Sequence, residues 1–211
     1  MSFLFLLLCT VFDLVLVVGM AFLYERAVCA HRGRSFQIKP WRVVALVCFA
    51  ASLFVIAFLT GGQGLPMTQF VPRVEWRPFA NLPRGWLQYA LNVVLFLPVG
   101  FFLRLLYSRY RHFLRVAVYG LCFSLYIEIV QMFGFGLSDV NDLLMNTLGA
   151  VFGAMLGALA VKIFPSLKSC SDSHAEPFSP FEAEWALVLT WLVNLCVMPQ
   201  ILQGMIGVGL L

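Results

Sequence analysis

The residues with the most evident chemistry lie between Ser124 and Gly157, where two apolar segments meet at a short glycine-containing loop. Ser124, Glu128 and Gln131 follow one another at spacings of four and three, so they share one face of the first segment if it is helical. The second segment carries a stripe that is polar at first and then small: Asp139, Asp142, Asn146, Gly149, Gly153 and Gly157. We therefore expect these polar side chains to face other helices rather than lipid.

Carboxylates and amides in this pattern are suited to three kinds of chemistry. Glu128, Asp139 and Asp142 can supply oxygen ligands to a divalent cation, or act as acid and base toward a substrate. Together with Gln131 and Asn146 they can hydrogen-bond a ligand headgroup. Structural roles are the alternative, because Asp139 can cap a helix and a Glu128 near the interface can extend to water. The sequence identifies no catalytic residue and no cofactor beyond this candidate cation.

Composition identifies the class of protein that holds these residues. The mean hydropathy is +0.92, and only 11% of residues are charged, against about 25% in soluble domains. Six apolar segments are near the length that crosses a bilayer, and each is expected to be a helix because lipid cannot satisfy backbone hydrogen bonds. They are Phe3–Tyr24, Val43–Gly61, Trp86–Leu106, Val116–Phe133, Leu143–Phe164 and Trp185–Leu211. The sequence predicts an all-α polytopic membrane bundle of about six transmembrane helices.

The positive charges predict the orientation of this bundle. Connections one, three and five hold 11 of the 14 Lys and Arg residues, whereas connection two holds three and connection four none. Cytoplasmic connections carry the excess of positive charge, so connections one, three and five are predicted to be cytoplasmic. Both termini and connections two and four then face outward. The net charge of +4 is explained by this topology, and no nucleic-acid partner is expected.

Polar residues outside the central stretch have two interpretations each. Asp13, in the first segment, either hydrogen-bonds a neighbouring helix or takes part in a proton or substrate pathway. Arg77 and Arg84, in the second connection, either lie in a loop on the membrane surface or face the carboxylates of the fourth connection, or a phosphate there. Asn92 either links two helices or joins the outer polar site. Pro98 is expected to kink the third helix, and Gly100 to allow close helix contact.

Three fragments together resemble the VanZ-like family of bacterial membrane proteins. They are RPF at Arg77–Phe79, NVVLFLPVG at Asn92–Gly100, and ExxQ at Glu128–Gln131 followed by SDVNDLLMNTLGAVFG at Ser138–Gly153. The resemblance covers about residues 76 to 160, in order and at suitable spacing. One departure is Gly136, where many members carry an Arg three residues before the first Asp, so an anion-binding role for that Arg does not transfer. The resemblance implies a multi-pass protein of the bacterial plasma membrane that is associated with resistance to teicoplanin.

This resemblance divides the chain into three parts. Residues 1–75 contain two N-terminal transmembrane helices and the start of the outer loop. Residues 76–164 form the VanZ-like core with helices three to five. Residues 165–211 comprise a cytoplasmic loop and a C-terminal transmembrane helix.

The sequence is compatible with three functions. The first is an envelope protein whose outer polar pocket binds a membrane lipid or a lipid-linked cell-wall precursor. The second is an enzyme that modifies such a headgroup, although His31, His112 and His174 all lie on connections predicted to be cytoplasmic. The third is a lipid or small-molecule transporter. The oligomeric state cannot be inferred from the sequence.

Overall fold

The computed structural model describes residues 3–31, 33, 39–60, 74–79, 82–132, 138–170 and 182–192. Two short 3₁₀ turns, Ser108–Arg111 and Pro165–Cys170, follow the third and fifth helices of this part of the chain. The helices and strands in it are α1 (Phe3–His31), α2 (Pro40–Leu59), β1 (Val74–Glu75), α3 (Leu82–Leu106), α4 (Phe113–Met132), β2 (Ser138–Asp139), α5 (Val140–Ile163) and α6 (Glu182–Leu192).

Five of these helices, α1 to α5, are long and apolar enough to cross a membrane. Large apolar side chains such as Val94, Leu125 and Leu148 point outward, which suits a surface that faces lipid. The prediction of an all-α membrane bundle is therefore confirmed. The sixth predicted span, Trp185–Leu211, falls largely outside the described residues. Its described part, residues 185–192, belongs to the 11-residue helix α6 (Glu182–Leu192). The sixth crossing and the position of the termini stay predictions.

Contacts between connections define the two ends of the bundle. At one end the strands β1 and β2 pair in parallel, so the second connection lies against the fourth. At the other end Arg42, near the start of α2, donates to the carbonyl of Leu106 at the end of α3, 3.1 Å away. Following the charge pattern, the end with β1 and β2 is named the outer end, and the end with Arg42 and Leu106 the inner end.

The helices α3 and α5 pack against each other along a glycine seam, defined here as Gly149, Gly153 and Gly157. A Cβ atom added to these glycines would meet the carbonyl oxygens of Val93, Leu97 and Phe101 in turn. Both sets advance by four residues in the same direction, so α3 and α5 run parallel with their backbones in contact. Gly100 on α3 approaches the carbonyl of Ala150 in the same way. The α3 helix continues through Pro98.

Two aromatic rings meet near the middle of α3 and α4. The side chains of Phe96 on α3 and Phe123 on α4 are fully buried, and their ring centroids are 5.2 Å apart. Ser124 follows Phe123 directly in the chain and is also fully buried. Ser124 and Glu128 of α4 therefore lie outward of this ring contact.

Candidate functional site

The outer end is built around the first turn of α5. Asp139 has an extended backbone and caps the helix: its Oδ1 accepts from the backbone N of Asn141 at 2.8 Å and from Asn141 Nδ2 at 2.7 Å. A carboxylate at this position satisfies free N–H groups and lies at the positive end of the helix dipole. The capping role considered for Asp139 is therefore present, and it fixes the direction in which α5 enters the bundle.

Asn141 connects this cap to the second connection. Its side chain is 1% exposed, and its Oδ1 accepts from the backbone N of Phe79 at 2.9 Å. Phe79 has a φ of 57°, a left-handed backbone that is uncommon for a bulky residue. The Phe79 ring also meets the Tyr89 ring edge to face, with centroids 5.9 Å apart. Asn141 was not identified from the sequence, where it is one polar residue in a polar stretch; its spacing of two from Asp139 is the only signal of the shared cap.

Arg77 belongs to the same outer turn. β1 and β2 pair Glu75 with Asp139, which brings the second connection to the start of α5. The backbone N of Arg77 donates to the Glu75 carboxylate at 3.1 Å, and its side chain is exposed. Among the described residues, Arg77 makes no ion pair with Glu128, Asp139 or Asp142. The side chain of Arg84, the second predicted guanidinium, lies outside the described part, as does that of Asp13.

Glu128 is held between α4 and β2. Its Oε2 accepts from the backbone N of Asp139 at 2.9 Å, and its backbone carbonyl accepts from the hydroxyl of Ser138, also at 2.9 Å. The residue is 3% exposed. Glu128 therefore faces the protein and not the lipid, and its described hydrogen bonds come from neutral groups.

Asp142 and Asn92 connect α5 to α3. Asn92 Nδ2 donates to Asp142 Oδ1 at 2.6 Å, and the Gln88 side chain also hydrogen-bonds Asp142. Gln88 precedes Asn92 by four residues on α3, so both amides lie on one face of that helix. Gln88 was not among the residues identified from the sequence, because a single Gln near an interface has no distinguishing pattern.

Asn146 and Ser124 make a further contact one helical turn inward. Asn146 Nδ2 donates to Ser124 Oγ at 2.9 Å, and the Ser124 hydroxyl lies 3.5 Å from the Asp142 carbonyl oxygen. Asn146 is 3% exposed, and its Oδ1 has no hydrogen-bond partner within the described chain. The outer polar cluster, as the name is used below, comprises Asn92, Ser124, Glu128, Asp142 and Asn146.

Gln131 lies apart from this cluster. Its Nε2 donates to the carbonyl of Thr60 at the end of α2, 3.1 Å away. Its Oε1 is buried and has no hydrogen-bond partner in the described chain. Gln131 therefore ties α4 to α2 at the outer end, and no described hydrogen bond joins it to the other predicted site residues.

A divalent cation was considered for Glu128, Asp139 and Asp142. Across the described residues, no group of three or more His, Cys, Asp and Glu side chains is arranged to hold a metal ion. Glu128 and Asp139 each direct a carboxylate oxygen at an N–H group instead. The described contacts of these two carboxylates are hydrogen bonds, and the divalent cation stays a prediction.

A second polar network lies at the inner end. Glu25 on α1 and Arg42 on α2 form a buried ion pair with a closest N–O distance of 2.6 Å. Nearby, the Tyr110 hydroxyl donates to Glu184 Oε1 of α6 at 2.6 Å, and Arg109 Nη1 lies 3.4 Å from the same oxygen. Burial, together with this hydrogen bond to Glu184, raises the pKa of the Tyr110 phenol above its usual value. Glu25 was not identified from the sequence, and Arg42 was counted only among the positive charges of the first connection.

Comparison with known proteins bears on the same part of the chain. Neither the curated proteins nor the solved structures return a match. The model of the VanZ/LLP1 family matches residues 43–161, which span α2 to α5 and include the whole outer polar cluster. Because this match covers more than half of the 211 residues, the chain belongs to the VanZ/LLP1 family.

Proposed function

We propose that this VanZ/LLP1-family protein binds the headgroup of an envelope lipid, or of a lipid-linked cell-wall precursor, in its outer polar cluster. The observation that carries the proposal is the burial of Glu128 at 3% exposure among polar side chains from three helices. Such a carboxylate is costly to keep in a membrane protein, so its presence calls for a role. Headgroups of lipids lie at the same depth as the outer ends of spanning helices.

The surroundings of the cluster suit a lipid ligand. Leu125 and Ile129 on α4, with Leu144 and Leu148 on α5, are exposed apolar side chains close in sequence to the cluster residues. Trp76 and Trp86 are exposed near the outer ends of the second connection and α3, where aromatic side chains favour the membrane interface. A bound lipid would keep its acyl chains against this apolar surface while its headgroup contacts the cluster.

The family membership extends the proposal to a phenotype and a location. We propose that the protein lies in a bacterial plasma membrane and lowers susceptibility to teicoplanin, a lipid-bearing glycopeptide that acts on cell-wall precursors outside the membrane. A site that engages a lipid or a lipid-linked precursor at the outer surface lies in the compartment where that drug acts. The predicted orientation, with connections two and four outward, is part of this proposal.

The proposal is tested by substituting the cluster in a strain whose teicoplanin resistance depends on this protein. Asp142→Ala removes the carboxylate that Asn92 contacts, and we expect it to reduce resistance and to reduce the lipid that co-purifies with the protein, measured by mass spectrometry. Thr147→Val is the matched control on α5, because the Thr147 hydroxyl donates only within its own helix, to the carbonyl of Leu143 at 2.7 Å. Unchanged resistance and unchanged bound lipid in a membrane-inserted Asp142→Ala protein would contradict the proposal. Chemical conversion of the lipid by the purified protein would favour the enzyme alternative instead.

A further inference from the structure

The outer polar cluster has residues at two depths along the helices, and these depths can be derived from the contact between Ser124 and Asn146. Ser124 on α4 and Asn146 on α5 hydrogen-bond at 2.9 Å, and the chain runs outward along α4 but inward along α5. Glu128 is four residues outward of Ser124, and Asp142 is four residues outward of Asn146. Each step of four residues rises about 6 Å and returns to the same helix face. Glu128 and Asp142 are therefore set at the same depth, one turn outward of the Ser124–Asn146 contact.

The charges at this depth are not balanced within the described residues. The outer end holds the carboxylates of Glu75, Glu128, Asp139 and Asp142, and Arg77 is the cationic side chain described there. None of these carboxylates forms an ion pair with a Lys, Arg or His among the described residues. Ionised carboxylates at one depth in a poorly hydrated region repel each other unless a cation or a proton lies between them.

An independent observation points to a hydrogen-bond donor. Asn146 Oδ1 is buried in a residue that is 3% exposed, and no group of the described chain donates to it. An amide oxygen left in this state costs free energy that a donor from a ligand would recover. The hydrogen-bond network supports this assignment of the amide, because the Ser124 hydroxyl donates to the Asp142 carbonyl oxygen and accepts from Asn146 Nδ2.

We infer that the outer polar cluster takes a lipid headgroup that ends in a primary ammonium group, with its N–H donors directed at Asn146 Oδ1 and at the carboxylates of Glu128 and Asp142. This inference rests on the proposed function and specifies its ligand. A primary ammonium carries three N–H donors and one positive charge, which meets both the unpartnered oxygen and the excess of carboxylates. A hydroxyl headgroup supplies donors without the charge, and a quaternary ammonium supplies the charge without the donors.

The test compares three lipids with identical acyl chains on the purified full-length protein in detergent micelles. Phosphatidylethanolamine has the primary ammonium, phosphatidylcholine the quaternary one, and phosphatidylglycerol a neutral diol. We expect native mass spectrometry to give an apparent Kd for phosphatidylethanolamine that is at least about tenfold lower than for the other two. Equal binding of phosphatidylcholine, or binding of phosphatidylglycerol that is as tight or tighter, would overturn the inference while the proposed lipid function stands.

Variants separate the inferred contacts from general effects on the protein. Glu128→Gln keeps an oxygen that can accept from the Asp139 backbone N but removes the charge, and we expect a roughly tenfold loss of phosphatidylethanolamine binding. Asn146→Leu removes the unpartnered oxygen, with an expected loss of about threefold to tenfold. Thr147→Val is the matched control and should bind as the unsubstituted protein does, because the Thr147 hydroxyl donates only to the carbonyl of Leu143 in its own helix.

The outcomes distinguish a failure of the ammonium inference from a failure of the proposed function. If Glu128→Gln and Asn146→Leu elute as folded single species and still prefer phosphatidylethanolamine, the ammonium site lies elsewhere and the inference fails. If the folded, unsubstituted protein retains none of the three lipids, the inference fails, whereas the proposed function fails only if Asp142→Ala also leaves teicoplanin resistance and co-purifying lipid unchanged.

Discussion

The two polar networks of this bundle differ in how their charges are balanced. At the inner end, the buried carboxylate of Glu25 meets the guanidinium of Arg42 at 2.6 Å, and Arg42 also donates to the carbonyl of Leu106. At the outer end, Glu128 accepts from a backbone N–H group and Asp142 from the amide of Asn92. The charges of the inner network are paired within the described residues, whereas no described cationic side chain pairs with a carboxylate of the outer network.

Because of this difference, we expect the inner end to stabilise the fold and the outer end to bind a ligand. An ion pair that is complete within the protein holds α1, α2 and the end of α3 together and needs no ligand. A set of buried acceptors without a cation is poorly suited to stabilising a fold, because desolvated charges are costly when they are unpaired. Buried acceptors without a cation are therefore expected to serve binding, because a ligand can supply the positive charge that is not paired with them in the described chain.

The largest effect is expected from breaking the inner pair. Arg42→Met leaves the Glu25 carboxylate buried without its partner, and we expect the free energy of unfolding to fall by about 3–5 kcal/mol. The measurement is denaturant unfolding of the purified protein in detergent micelles. The double variant Glu25→Leu/Arg42→Met removes both charges and should be clearly more stable than the single variant. Equal stability of the single and double variants would show that the pair itself contributes little.

An intermediate effect is expected at the glycine seam that joins the two ends. A Cβ at Gly153 would collide with the carbonyl of Leu97, so Gly153→Ala forces α3 and α5 apart, at an expected cost of about 1–3 kcal/mol. Gly19 on α1 has no atom within 4 Å of an added Cβ, so Gly19→Ala is the matched control. The control should be neutral or slightly stabilising, because Ala favours helix over Gly. An unchanged free energy of unfolding in Gly153→Ala would show that α3 and α5 have room for a methyl group between them.

The smallest effect on stability is expected at the outer end. Glu128→Gln removes a buried charge but keeps an oxygen for the Asp139 backbone N, so the free energy of unfolding should change by less than about 0.5 kcal/mol, or rise. The same unfolding assay applies, and the comparison with Arg42→Met is direct because each variant neutralises one buried charge. A loss as large as that of Arg42→Met would abolish the distinction between the two ends.

Much of the fold could be predicted from the sequence because lipid restricts spanning segments to continuous helices. The predicted starts of α2, α4 and α5 each come three residues too late, at Val43, Val116 and Leu143. Hydropathy marks the apolar part of a helix, whereas its first turn carries polar residues that prefer the interface. The helix α1 continues seven residues past the predicted end at Tyr24, and this extension contains Glu25, which pairs with Arg42.

The predicted site was only partly specified by spacing. Helical periodicity indicated that Ser124 and Glu128 share a face, and that Asp142 and Asn146 do. It could not show that Asn141 would reach back to Phe79, 62 residues earlier, because such contacts depend on how the second connection folds. The pairing of β1 with β2 involves two residues on each side, which is too short for a pattern of alternation. Gln131 shared the periodicity and yet bonds to Thr60, because a shared face does not determine which neighbouring helix a side chain meets.

The parallel arrangement of α3 and α5 has a consequence for synthesis of the protein. Asn92 precedes its partner Asp142 by 50 residues, so at about 5–20 residues per second α3 is made roughly 3–10 s before that partner exists. During this interval the amide of Asn92 has to hydrogen-bond water or the insertion machinery, because an unpaired amide in hydrocarbon is costly. The outer polar cluster is therefore assembled late, once α5 has entered the bilayer and covered the exposed backbone of α3.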